Sequence, residues 1–168
     1  MMKRAAACNL LVLFVLITGL SACGFQLRGD VKIPASMQPL YIQSEANSIL
    51  TRELRYRLNQ AGVQLTDDVN QARSVLRVYQ EKMYRHILSV GSQATARQYE
   101  SVYELSYKLF LAKGKELIPD SQIYFRRDFS FDEKDTLGKE REEKTLQQEM
   151  QLQAVQTILR RMRYSLKP

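Results

Sequence analysis

Two cysteines, Cys8 and Cys23, and one histidine, His86, supply all the thiol and imidazole chemistry in this 168-residue chain. Cys8 sits in an apolar run from Ala5 to Leu20, behind the charged start Met1-Met2-Lys3-Arg4. That run of sixteen residues falls short of the ~20 apolar residues a spanning helix needs. It fits the h-region of an exported, cleaved signal. Removing residues 1–22 would take Cys8 away and leave Cys23 with no cysteine to pair with, although an exported compartment allows disulfides. A His/Cys zinc or copper site takes three or four such ligands, so the expectation is no metal and no Cys nucleophile. Glu140, Glu142 and Glu143 are close along the chain, but adjacent positions on one helix do not oppose each other across a cleft as a general acid and base must. They read as a helix start. The expectation is that there are no catalytic residues and no enzyme; Ser/Lys or carboxylate chemistry in a periplasmic hydrolase is the least favoured reading.

The four residues Leu20-Ser21-Ala22-Cys23 resemble the bacterial lipobox, Leu-[Ala/Ser]-[Gly/Ala]-Cys. That resemblance implies a diacylglyceryl thioether on Cys23, cleavage before it and acylation of the new amine, with palmitate-like chains and no other cofactor. Each buried methylene contributes roughly 0.8 kcal/mol, so several chains together anchor a protein where one would not. Gly24 follows the cysteine. By resemblance to enterobacterial sorting, where aspartate there retains a lipoprotein in the inner membrane, Gly24 implies the outer membrane.

The expected organisation is a signal peptide over residues 1–22, a lipidated tether over 23–36 containing Pro34, and one α+β domain over 37–168. Loss of Lys3 and Arg4 lowers the formal charge of +7 by two. A mildly basic exported protein favours anionic partners, here phosphorylated lipid or peptidoglycan and not nucleic acid.

Leu40-Tyr41-Ile42 reads as a first strand. Asn47 or Ser48 can cap a helix over 48–61, in which Leu50, Leu54, Leu58 and Ala61 share a face and Gly62 takes the C-terminal position. Strand formers dominate from Val75 to Val90, with apolar groups on both faces. The small polar stretch 91–96 suits a hairpin tip. Residues 99–111 alternate, with Tyr99, Tyr103, Leu105, Tyr107, Leu109 and Leu111 on one face and Val102 and Phe110 as exceptions. Lys113-Gly114-Lys115 reads as a turn, 123–131 as a fourth strand and 132–139 as a charged loop. A helix over 140–165 carries Leu146, Met150, Ala154, Ile158 and Met162, acidic at its start and basic at its end (Arg160, Arg161, Arg163), as the macrodipole favours. The order β-α-β-β-β-α predicts a two-layer sandwich, with two helices on a four-stranded mixed sheet whose first two strands are parallel.

Cys23-Gly24-Phe25-Gln26-Leu27-Arg28-Gly29 is similar to the mature start of the LPS-assembly lipoproteins, the LptE (RlpB) family. Ile33-Pro34 and Met37 before the first strand, Leu58-Asn59-Gln60-Ala61-Gly62-Val63 at the end of the first helix, and Phe129-Ser130-Phe131-Asp132 leading through Leu137-Gly138-Lys139-Glu140 extend the likeness over nearly the whole mature chain. The resemblance implies an outer-membrane lipoprotein that plugs a large LptD-type β-barrel. It further implies support of that barrel's assembly and binding of lipopolysaccharide for insertion in the outer leaflet, with the domain on the periplasmic side or in the barrel lumen. The other class of function left open is a peptidoglycan-binding or scaffolding lipoprotein.

A ligand of phosphates and acyl chains would meet Arg in bidentate fashion and Lys as a point charge. Lys139 aligns with a lysine in the family's loop before the last helix. Arg97 lies just past the hairpin tip and Arg85 on the strand before it. These three are the lipopolysaccharide-binding candidates, provided that the tip and the loop before the last helix share one end of the sheet. The Tyr99/Tyr103/Tyr107 stripe reads first as sheet core and second as contact with a barrel wall.

Overall fold

The computed structural model describes residues 33–90, 96–130 and 136–166. The signal, Cys23 and most of the tether lie outside the described residues, as do positions 91–95 and 131–135.

The chain forms β1 (Leu40–Ser44), α1 (Ile49–Gln60), β2 (Leu65–Thr66), β3 (Ser74–Val90), β4 (Ala96–Leu111), β5 (Glu116–Ser130) and α2 (Thr136–Ser165). The sheet runs β2-β1-β3-β4-β5. β1 pairs in parallel with β2 and with β3, the latter through the α1 crossover, and the β3–β4 and β4–β5 pairs are antiparallel. The α+β class and the mixed sheet are as expected. The count is five strands rather than four, because two residues after α1 add β2 at one edge. A strand that short leaves no periodicity to read.

The first helix follows local chemistry. Ser48 accepts the Thr51 amide at its N-terminus. Beyond its last turn Gly62 takes φ +75°, with the Val63 amide bonded back to the Leu58 carbonyl at 3.0 Å. That closes the carbonyls a helix end leaves open. Leu50, Leu54 and Leu58 are fully buried against Leu40, Ile42, Leu76, Val78 and the α2 residues Met150, Ala154, Ile158 and Met162. Ile33 joins this core and its carbonyl accepts from Gln38 at 2.8 Å. The packed domain therefore takes in residues 33–36 of the expected tether.

Two boundaries move, and one strand shifts phase within its length. β5 begins at Glu116, ahead of the expected 123. Pro119 interrupts the run in sequence, but β5 is an edge strand, where a missing N–H is tolerated. The register slips there, from Tyr107 opposite Ser121 to Leu109 opposite Ile118, so Ile118 still enters the core. α2 begins at Thr136, so 136–139 are helical and not loop. Glu140, Glu142 and Glu143 consequently lie beyond the first turn, which holds no acid, and the macrodipole does not account for them.

The phase shift explains why β3 carries apolar groups on both faces. Between Tyr79 and Lys82 the register against β4 gains one residue, and Gln80 adopts φ +55°. Such a bulge reverses the in–out phase of the strand. Leu76 and Val78 face the helices before it, and Met83 packs on the same core after it. The face away from the helices carries Lys82–Glu104 and Arg126–Glu100 ion pairs, both at 3.8 Å. Val102 lies on that face and is fully buried, its register neighbours being Tyr84 and Arg126.

Candidate functional site

Val90 pairs with Ala96 and Gln98 with Ser130, so the end of β3, the start of β4 and the end of β5 meet at one end of the sheet. Across the undescribed link 131–135, α2 starts at the same end, since Glu143 reaches Arg85. The three sequence candidates are thereby gathered. Arg97 is the second residue of β4 and Lys139 lies in the first turn of α2. The side chains of Arg97 and Lys139 lie outside the described residues, as does Cys23.

Arg85 is described, and it is engaged. Its guanidinium forms a two-point ion pair with Glu143, Nε donating to Oε1 at 3.0 Å and the terminal nitrogen to Oε2. It also lies 5.0 Å from the centre of the Tyr99 ring and 5.7 Å from that of Phe129. Those two rings stack at 5.5 Å with 19° between planes. Cation–π contacts and bidentate geometry both suit Arg over Lys. The Arg85 side chain is 44% exposed and that of Glu143 only 12%, so the carboxylate is the less exposed member of the pair.

Three register rows cross this end on the helix side. Outermost, Ile87 lies opposite Tyr99 and Tyr99 opposite Phe129. Next come Arg85, Ser101 and Arg127. Arg127 donates to Gln153 Oε1 and to the Arg126 carbonyl, each at 2.9 Å. Ser101 is fully buried, and its hydroxyl has no partner. The third row is Met83, Tyr103 and Phe125. Tyr103 donates to Glu81 Oε1 at 2.7 Å, and Gln151 reaches the same oxygen at 3.4 Å. Burial, and then the Glu81 carboxylate, push the Tyr103 hydroxyl well above the ordinary tyrosine range. Within the stripe, Tyr103 and Tyr107 are core, while Tyr99 is half-buried under Arg85.

The first half of α2 thus rests on a polar seam. Glu143, Gln147 and Gln151 recur every four residues on its inner face, and Gln147 donates to Glu143 Oε1 at 3.3 Å. From Met150 onward apolar residues enter the core, Met150, Ala154, Val155, Ile158 and Met162 among them, beside the polar contacts of Gln151 and Gln153. Glu143 reads in sequence only as part of a helix start, and Ser101 and Arg127 are not singled out there. The four-residue recurrence of polar groups at 143, 147 and 151 was the available signal for the seam. Nothing local marks Ser101 or Arg127, because strand register brings them together. Ile87 and Leu88, 60% and 50% exposed, add apolar surface toward the tip. Among the described residues no group of three His, Cys, Asp or Glu could hold a metal, and no helix is long and apolar enough to cross a membrane.

The two layers define an α+β domain of two helices on a mixed five-stranded sheet, with cations at one end. Two solved structures share it. A lipoprotein B from Nitrosomonas europaea superposes with TM-score 0.67 at 27% identity, over 82% of this chain and 88% of that one. The rare lipoprotein B from Shewanella oneidensis gives 0.62 at 31%, over 73% and 92%. The profile of the LptE lipopolysaccharide-assembly family matches residues 37–162. The LPS-assembly lipoprotein LptE of Pectobacterium atrosepticum is 32% identical, over 89% of this chain and 84% of the relative, and that of Yersinia enterocolitica 30%, over 96% and 77%. The chain belongs to the LptE family. That membership makes it a non-enzymatic lipoprotein component of lipopolysaccharide assembly.

Proposed function

We propose that this lipoprotein is held in the outer membrane by acyl chains on Cys23, plugs an LptD-type β-barrel, supports assembly of that barrel, and binds lipopolysaccharide for insertion in the outer leaflet. The observation that carries the ligand part is the convergence at one end of the sheet. There Arg85 and the backbone positions of Arg97 and Lys139 adjoin the exposed aliphatics Ile87 and Leu88. Cations beside apolar surface suit a ligand that joins phosphates to acyl chains. At this same end, the opposite face has Lys82 and Arg126 paired with Glu104 and Glu100.

Membranes solubilised in mild detergent test the reading. Pulling on the lipoprotein is expected to recover a large barrel in equal amount, together with lipopolysaccharide. Recovery of cell-wall material alone would favour the peptidoglycan-binding reading instead. Cys23→Ala is expected to run at lower mass and leave the membrane; a variant still membrane-bound at unchanged mass removes the anchor. Lys139→Glu is expected to retain less lipopolysaccharide, and unchanged retention and salt dependence remove Lys139 from the site.

A further inference from the structure

We propose that the row Arg85–Ser101–Arg127 is a phosphate-binding site for a phosphorylated, acylated lipid, and that Glu143 is a latch occupying it until such a lipid arrives. The proposal rests on the lipopolysaccharide-binding reading above and adds where one phosphate is held and what it displaces.

The first support is the imbalance of the row. Arg85 and Arg127 flank Ser101 in register on the sheet, and a single carboxylate, Glu143, meets one of them, Arg85. Among the described residues Arg127 meets no carboxylate; its acceptors are the neutral Gln153 amide and a backbone carbonyl. Between the two lies a hydroxyl in a residue with no exposed surface and no hydrogen-bond partner. Buried polar groups are nearly always satisfied, and a phosphate oxygen can accept from a hydroxyl and two guanidiniums together.

The second support is the neighbouring row. Toward the sheet tip the next row is Ile87, Tyr99 and Phe129; Ile87 is 60% exposed and Tyr99 half-buried, over a buried Phe129. A free phosphate gains nothing from that surface, whereas an acyl chain joined to the phosphate does. The occupant is therefore a lipid-borne phosphate.

The third support is the weakness of the cover. Among the described side chains of α2 before Met150 none is buried, and this half is tied to the sheet by Glu143 on Arg85, with Gln147 bonded to the same carboxylate. An incoming phosphate that takes Arg85 returns Glu143 to water and frees this half of the helix, while the apolar half from Met150 stays packed.

The test titrates fluorescent lipopolysaccharide against the full lipidated protein in detergent micelles. An ion pair that only clamps the helix predicts that Glu143→Gln and Arg85→Gln weaken binding alike. A latch predicts opposite signs: about fivefold tighter for Glu143→Gln, about fivefold weaker for Arg85→Gln and Arg127→Gln. Arg127→Gln breaks no ion pair and carries the test if Arg85→Gln does not fold. Lipopolysaccharide stripped of its phosphates is expected to show none of these differences, and millimolar inorganic phosphate is expected not to compete. Equal or same-sign effects of the Glu143 and Arg85 substitutions overturn the latch but leave the proposed function standing, as does the same pattern with stripped lipid. Full competition by inorganic phosphate overturns the lipid assignment. A wild-type protein that retains no lipopolysaccharide overturns the proposed function and the latch together.

Discussion

The Tyr103 hydroxyl donates to Glu81 Oε1 at 2.7 Å, from β4 to a residue within the β3 bulge. The bond exists because the bulge at Gln80 turns Glu81 toward the helix side, under α2, where Gln151 reaches the same oxygen. The second oxygen of Glu81 is buried without a partner, so the tyrosine carries much of the satisfaction of that carboxylate.

Tyr103→Phe is expected to destabilise the fold by about 1–3 kcal/mol, the range for stranding a buried acceptor, measured as a shift in urea midpoint at constant slope. The pH dependence has a definite sign. The folded-state value for Tyr103 is raised above its unfolded value of 10.0. The stabilisation is therefore complete below pH 10 and is lost as pH rises above it, because the unfolded chain releases the proton first. The Phe variant is expected to show a shallower alkaline loss than the parent; an identical slope would sink the assignment.

Hydrogen exchange is expected to divide α2 in two. Amides between Glu140 and Glu149 should exchange faster than those between Met150 and Met162, since apolar burial begins at Met150 and local opening follows poor burial. Glu143→Ala is expected to accelerate the first group only. Uniform acceleration along the helix would mean that it opens as one unit.

Gln80 tests the bulge. A β-branched side chain is ill-suited to φ +55°, so Gln80→Ile is expected to cost about 1–2 kcal/mol. Gln80→Gly relieves the backbone but forfeits the 3.2 Å bond from Ser106, and is expected to be near neutral by thermal unfolding. A Gly variant less stable than the Ile variant would show that the side-chain bond outweighs the backbone conformation.

At Gly62, with φ +75°, an added Cβ meets nothing within 4 Å. Gly62→Ala is thus expected to cost only the left-handed backbone penalty, about 1–2 kcal/mol, with no packing loss. Chemical denaturation of the variant checks this, and a cost well beyond that range would point to a contact at the helix end.

How far the sequence could be read depended on the range of the interaction responsible. The α1 cap at Ser48, its stop at Gly62, the turn at Gly114 and the alternation of β4 are set by residues a few positions apart, and each appears where local chemistry places it. The start of β5 was missed because Pro119 reads as a stop unless its strand is known to lie at an edge. The start of α2 was missed because 136–139 follows the charged run 132–135, contains Gly138 and lacks the apolar period that marks the rest of the helix.

The sequence by itself determined the cysteine arithmetic, the basic bias, the family resemblance and the α+β order, since each needs only composition or short spacing. The tertiary structure alone decided that β3 reverses phase at Gln80, that Arg85 is taken by Glu143, and that Ser101 lies between two arginines. Those relationships join residues 16–58 positions apart. They depend on strand register and on where α2 comes to rest, and no local propensity encodes either.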